Sequence, residues 1–122
     1  MKRESEAAHP EWRSSCPIAS GLDILGDKWS LIIVRDLIQN SSRTYTEFAE
    51  SPEGISTNIL ASRLKWLETL WIIERLNPEK SPRNNAYRLT ERGLALRPVL
   101  EELGKWSQVH LKELNPSIVT ST

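Results

Sequence analysis

A mainly helical domain carrying one small β-hairpin, an α+β arrangement, is the fold class this sequence predicts. Three observations lead there. Apolar residues recur at helical spacing over most of the chain, as in Leu60, Leu64 and Leu67. Two short runs rich in β-formers, Trp71–Leu76 and Ala86–Leu89, flank a loop with two prolines and three asparagines. A length of 122 residues, 39% apolar and 26% charged, suits a single globular unit.

The elements follow in order. Residues 1–13 are polar and mixed in charge, and are expected to form a flexible arm. Ser14-Ser15-Cys16-Pro17 reads as a helix start, with a serine cap and proline in the first turn. Ile18, Leu22 and Leu25 continue that helix, and Gly26 is expected to end it in a left-handed turn. Asp27 is placed to cap a second helix from Lys28 to about Ile38, apolar nearly all round and so expected at the centre of the domain. Arg43-Thr44-Tyr45 predicts a very short strand, and Thr46 a cap for a short helix, Glu47 to about Glu50. After the turn Ser51-Pro52-Glu53-Gly54 comes a sharper signal. Ser56 is a good N-cap, and Ile55 and Leu60 have the spacing of a hydrophobic staple. The helix it opens runs to about Thr69. The hairpin follows, with Asn77–Asn85 as its exposed loop. Thr90 caps a final helix that Pro98 should kink or interrupt, and Asn115-Pro116 should stop. The remaining residues, 115–122, are expected to be a disordered tail, which leaves 14–114 as the folded unit. Two short helices joined by a Pro/Gly turn, then a hairpin with a basic loop, make a winged helix-turn-helix layout.

Composition narrows the function. No run approaches the ~20 consecutive apolar residues of a membrane span. The start Met1-Lys2-Arg3-Glu4 lacks the apolar core of a secretion signal, so a cytoplasmic location is expected. The single cysteine, Cys16, agrees with a reducing compartment. Net charge is zero, but its distribution is uneven: −3 over Met1–Ser56 and +3 over Thr57–Arg92. A local positive field is what a phosphate backbone responds to. Enzyme chemistry has no signature here. There is no Gly-rich phosphate loop, no paired-histidine zinc motif and no serine elbow. His9, His110 and Cys16 are too scattered for a metal site, and no cofactor is expected.

The expected reader of DNA is the helix opened by Ser56. Thr57, Asn58, Ala61, Ser62 and Lys65 point away from its leucine stripe. An α-helix fits the major groove, where Asn can bond adenine, Lys can reach guanine or phosphate, and a methyl can touch thymine. A solvated polar face on a structural helix is the plainer reading. Lys80, Arg83 and Asn84 at the hairpin tip supply the second element, able to grip phosphate or enter the minor groove. Leu100, Leu103, Trp106 and Leu114 give the last helix more apolar surface than so small a domain can bury. They read as a dimer seam, with packing onto the chain's own first helices as the alternative. Cys16, at a helix N-terminus near Arg13, is either an activated thiol or a small inert hydrophobe.

Several of these residues together resemble the HxlR-type regulators, bacterial relatives of the MarR group. They are Cys16-Pro17, Leu25-Gly26-Asp27-Lys28-Trp29, Arg35-Asp36-Leu37, Thr46-Glu47-Phe48, Gly54-Ile55-Ser56 and Leu60 with Leu64. Tyr87-Arg88-Leu89-Thr90, Gly93 and Pro98-Val99-Leu100 with Trp106 complete the match, which covers about residues 14–111. The resemblance implies a homodimer on double-stranded DNA, an inverted repeat, with the recognition helix at Ser56–Glu68 and the wing at Asn77–Asn85. It also implies a repressor or activator answering a small-molecule or redox signal, with a sensor cysteine at the Cys16 position in some members. Where members carry Asp-Gly before the wing, this chain has Leu70-Trp71; where they carry Gln and Arg on the recognition helix, it has Thr57 and Asn58. The neutral net charge and the Leu70-Trp71 pair also admit a second reading, a winged protein-interaction module without direct DNA readout.

Overall fold

The computed structural model describes residues 10–119. Its helices are α1 (Pro17–Leu25), α2 (Ser30–Gln39), α3 (Tyr45–Ala49), α4 (Thr57–Thr69), α5 (Glu91–Leu94) and α6 (Arg97–His110). Strands β1 (Arg43–Thr44), β2 (Ile73–Arg75) and β3 (Ala86–Leu89) form one antiparallel sheet in the order β1-β3-β2. The register pairs Arg43 with Tyr87, and Ile73 with Leu89. The arrangement is a winged helix-turn-helix: α3 and α4 with the turn between them, then the β2–β3 hairpin.

The core gathers Ile33, Val34 and Leu37 of α2, Tyr45 and Phe48 of α3, and Leu60, Leu64 and Leu67 of α4 against Ile72, Ile73, Tyr87 and Leu89. The second helix is thus the central one, as its apolar circumference implied. Phe48 and Tyr87 meet as tilted rings 6.2 Å apart. Burial pushes the Tyr87 hydroxyl up to about 12, and that hydroxyl donates to the Pro82 carbonyl at 3.0 Å.

Several boundaries differ from expectation, each because a different hydrogen bond closes. No serine caps α1: Cys16 is itself the N-cap, and the Ser14 hydroxyl accepts from the Cys16 amide. Gly26 is right-handed (φ −81°) rather than left-handed. Glycine is needed there because a Cβ would lie 2.4 Å from the Leu22 carbonyl oxygen. Helix α2 starts two residues late, at Ser30, yet the Asp27 carboxylate still supplies the cap, accepting from the Trp29 and Ser30 amides at 2.9 Å each. Partial burial pushes that carboxyl up, but the bonds from Ser30 and Trp29 outweigh it and hold it below the usual range. Thr44, not Thr46, caps α3. Its hydroxyl accepts from the Glu47 amide while the Glu47 carboxylate accepts from the Thr44 amide, a reciprocal box that Thr46 lies too late to form.

The strand β2 is shorter than the expected Trp71–Leu76 run: Trp71 and Ile72 form the turn that follows α4, and Leu76 lies just past the strand's end. The Ile72 amide donates to the Leu67 carbonyl and the Trp71 amide to the Glu68 carbonyl. That pattern puts Trp71 in the left-handed position (φ 61°) where glycine is usual. Pro98 divides the last helical stretch: α5 ends at Leu94 and Pro98 sits in the first turn of α6, where its missing N–H has no partner to lose. Helix α6 ends at His110, before Asn115-Pro116. Residues 111–119 continue as turns tied back to it, the Lys112 amine donating to the Ile118 carbonyl and the Gln108 amide to the Val119 carbonyl. Of the expected arm and tail, residues 1–9 and 120–122 lie outside the described residues.

Candidate nucleic-acid interface

Local sequence builds the reading helix. The Ser56 hydroxyl accepts from the Ile59 amide at 3.3 Å, and Ile55 and Leu60 on either side of the cap are both buried. Leu60, Leu64 and Leu67 are at most 2% exposed. Ser56, Thr57, Asn58, Ser62 and Lys65 are exposed on the other side, and Ala61 lies half-buried at the edge. Ile59, on which sequence reasoning was silent, is also exposed and lies beside Asn58.

Two ties fix this helix. Arg35 on α2 reaches the Glu53 carboxylate through both terminal nitrogens, at 2.7 and 3.0 Å, and the Ser51 hydroxyl donates to the same group at 2.6 Å. The Arg35 guanidinium, and then Ser51, hold the Glu53 carboxyl at about 2. This network braces the turn between α3 and α4, which bends at Gly54 with φ 75°, a backbone region glycine enters freely. The Tyr45 hydroxyl donates to the Thr57 carbonyl at 2.9 Å, joining the start of α3 to the first turn of α4.

The wing is organised from inside by Asn85, which the sequence reading placed in an exposed loop. Asn85 is 5% exposed. Its side chain accepts from the Asn77 amide at 3.0 Å and donates to the carbonyls of Asn77 (2.7 Å), Lys80 (3.1 Å) and Ser81 (3.2 Å). The side chain thereby pairs backbone groups that a loop of two prolines cannot pair by itself. The only hint in the sequence is an asparagine directly before a strand.

Of the basic residues clustered in Thr57–Arg92, several are engaged within the chain. Arg63 reaches Asp27 at 3.4 Å, Arg75 pairs with Glu68 at 2.7 Å, and Arg88 with Glu74 at 2.8 Å. Arg83, expected at the free tip, lies over the Tyr45 ring, 4.9 Å from its centroid. Asn84 donates to the Ser81 hydroxyl. Lys65 and Lys80 are exposed and form no ion pair among the described residues. The helix face and the hairpin tip therefore meet through Tyr45, which holds one with its hydroxyl and the other with its ring.

Away from this face, the residues expected at a dimer seam divide. Leu103, Trp106 and Leu114 are exposed, but Leu100 packs partly buried against the chain's own core. Val99 and Val109 on α6 and Ile18 and Leu22 on α1 add exposed apolar surface that the sequence reading did not assign. Cys16 is exposed at the start of α1, so the chain's own core does not cover it. Arg13 does not lie free beside it: its guanidinium pairs with Asp23 and its backbone amide donates to the same carboxylate.

The model of the HxlR-like helix-turn-helix family matches residues 24–115. Over 91 residues the chain is 41% identical to the HTH-type transcriptional regulator sll1512 of Synechocystis, an alignment covering 74% of this chain and 66% of that protein. It is 37% identical over 93 residues to the HTH-type transcriptional regulator YodB of Bacillus subtilis, covering 75% of this chain and 82% of YodB. The solved structure of reduced YodB superposes with a TM-score of 0.64 at 34% identity, covering 80% of this chain and 95% of that one. The redox regulator HypR in its reduced form gives 0.71 at 27% identity, covering 83% and 99%. With the family pattern running from within α1 to beyond α6 on a winged helix-turn-helix frame, the chain belongs to the HxlR-like helix-turn-helix family.

Proposed function

We propose that this chain regulates transcription as a homodimer on double-stranded DNA, each protomer laying α4 in a major groove and its wing on the adjacent backbone. The observation that carries this is the division of α4: leucines sealed in the core, and Thr57, Asn58, Ser62 and Lys65 presented together to solvent. Lys80 and Arg83 supply phosphate contacts, and Asn84 extends the wing tip. The exposed apolar residues of α1 and α6, Ile18, Leu22, Leu103 and Trp106, support a two-fold seam formed by the terminal helices. Two reading helices then meet half-sites of an inverted repeat about 34 Å apart. Residues 14–114 are taken as the working unit, acting in the cytoplasm.

A chemical or redox signal fits the same frame. HypR is a redox regulator, and YodB has been solved in a quinone-bound form. In this chain the exposed Cys16, the cap residue of α1 beside the apolar seam, is the thiol available to such a signal.

The test is fluorescence anisotropy with duplexes tiled across the DNA flanking the chain's own gene, with sedimentation to give the oligomeric state. A specific complex of one dimer per inverted repeat is expected. Equal affinity for all duplexes at low salt, where phosphate contacts are strongest, would refute sequence reading. A monomer at micromolar concentration would refute the two-fold seam. Comparison of Cys16→Ser with the parent under diamide tests the thiol.

A further inference from the structure

The first turn of α4 presents a branched apolar side chain to solvent. Ile59 is 41% exposed and stands outside the core cluster. The larger side chains on its flank of the helix are drawn inward. Arg63, four residues on, reaches back to Asp27 at 3.4 Å. Trp66 donates its indole N–H to the Ile24 carbonyl at 3.0 Å, which holds the ring at the end of α1. Ile59 therefore projects between Asn58, its neighbour in the chain, and Ser62, three residues on, both exposed. Its backbone is fixed. The Ile59 amide donates to the capping Ser56 hydroxyl at 3.3 Å, and the Tyr45 hydroxyl holds the Thr57 carbonyl at 2.9 Å. An isoleucine in a helix keeps essentially one χ1 rotamer, so little freedom remains to be lost on contact.

We propose that Ile59 is a specificity-determining residue: it packs on the 5-methyl group of a thymine, in the base pair next to the one that Asn58 reads. The inference deepens the function proposed above and rests on it. The floor of the major groove offers donors, acceptors and one apolar group, the thymine methyl. Opposite any other base, the Ile59 side chain would cover polar base edges without pairing them, which weakens binding. Opposite thymine it buries methyl against methyl. Two other residues of the helix carry methyl groups, and neither is as well placed. Ala61 is half-buried at the margin nearest Pro82 and Tyr87 of the wing, and its single methyl projects less far. Thr57 joins its methyl to a hydroxyl, which accepts more than one base. Asn58 for adenine and Ile59 for thymine together select two adjacent A·T pairs in each half-site.

The experiment uses the full chain and a random-sequence duplex library. Selection by the parent should enrich an inverted repeat with a fixed thymine in each half-site, beside a fixed A·T pair. Replacing that thymine by deoxyuridine removes one methyl group and leaves every donor and acceptor in place. Parent binding, read by anisotropy, should weaken about fourfold for one half-site and about fifteenfold for both, the worth of one buried methyl each. Ile59→Ala should bind the thymine and deoxyuridine duplexes equally, while Ile59→Val, which keeps the branch, should still prefer thymine. The position is exposed, so both variants should melt within a few degrees of the parent. A parent indifferent to the methyl at every selected thymine would overturn the assignment, and that comparison needs no variant. A methyl preference that survives in Ile59→Ala would overturn it as well. A library with no enriched sequence would sink the reading of DNA itself, whereas an enriched repeat that ignores the methyl sinks only the role of Ile59.

Discussion

Trp71 occupies a backbone position that favours glycine, and a pair of substitutions isolates the consequence. Its φ of 61° closes the C-terminal turn of α4 and aims the chain into the wing. The ring is 66% exposed. The covered third, on the order of 80 Å², contributes at most about 2 kcal/mol of apolar burial. Trp71→Ala and Trp71→Gly both lose that burial, so it cancels between them. What differs is the Cβ. At an ordinary position glycine is roughly 0.5–1 kcal/mol less stable than alanine, because its unfolded chain is freer. In the left-handed region a Cβ costs roughly 1–2 kcal/mol. The order therefore inverts here, with Trp71→Gly more stable than Trp71→Ala by about 0.5–1 kcal/mol. For a domain of this size that is a melting difference of about 2–5 °C. Urea unfolding with unchanged m-values, alongside thermal melts, measures it. Equal stability, or alanine above glycine, would mean that the backbone at this turn is not held left-handed.

Replacing Asn85 by alanine removes one accepted and three donated bonds from the hairpin interior. A loss of about 2–3 kcal/mol in urea unfolding is expected, with faster amide exchange confined to residues 77–86. Lys65→Ala should weaken operator binding by about 1–3 kcal/mol per half-site and relax one base preference; anisotropy against a panel of single-base variants checks this, and a uniform loss across the panel would reassign Lys65 to phosphate. Glu53 has its folded carboxyl held at about 2 against an ordinary 4.5, so its contribution is full above pH 4.5 and disappears as pH falls toward 2. The pair is partly exposed and solvent-screened, so Glu53→Gln should flatten the acid limb of stability in that window by about 1 kcal/mol or less, with little change in the slope above pH 5. Trp106→Glu should shift a dimer to monomers in sedimentation and weaken operator binding more than its distance from α4 would suggest, because two half-sites would no longer be linked.

The reading helix was legible in the sequence because its signals are local. A serine cap, a staple one residue to each side of the first turn, and leucines three and four apart act within a few residues of one another, so no other part of the chain is needed to place them. The hairpin and the division of the last helix at Pro98 were legible for the same reason. Neighbouring signals one or two residues apart were harder: Thr44 and Thr46 are equally good caps by composition, and only Thr44 can exchange bonds with Glu47. The tertiary structure alone decided the rest. Trp71 turns left-handed because Ile72 must enter the core while the last carbonyls of α4 are still paired. Asn85 is buried because the wing loop folds over it. Leu100 turns inward, Arg13 goes to Asp23 rather than Cys16, and Arg83 lies on Tyr45, since each depends on which groups the packed elements bring within a few ångströms. Spacing along a chain fixes which residues share a face of one helix; it cannot fix which face of another element they meet.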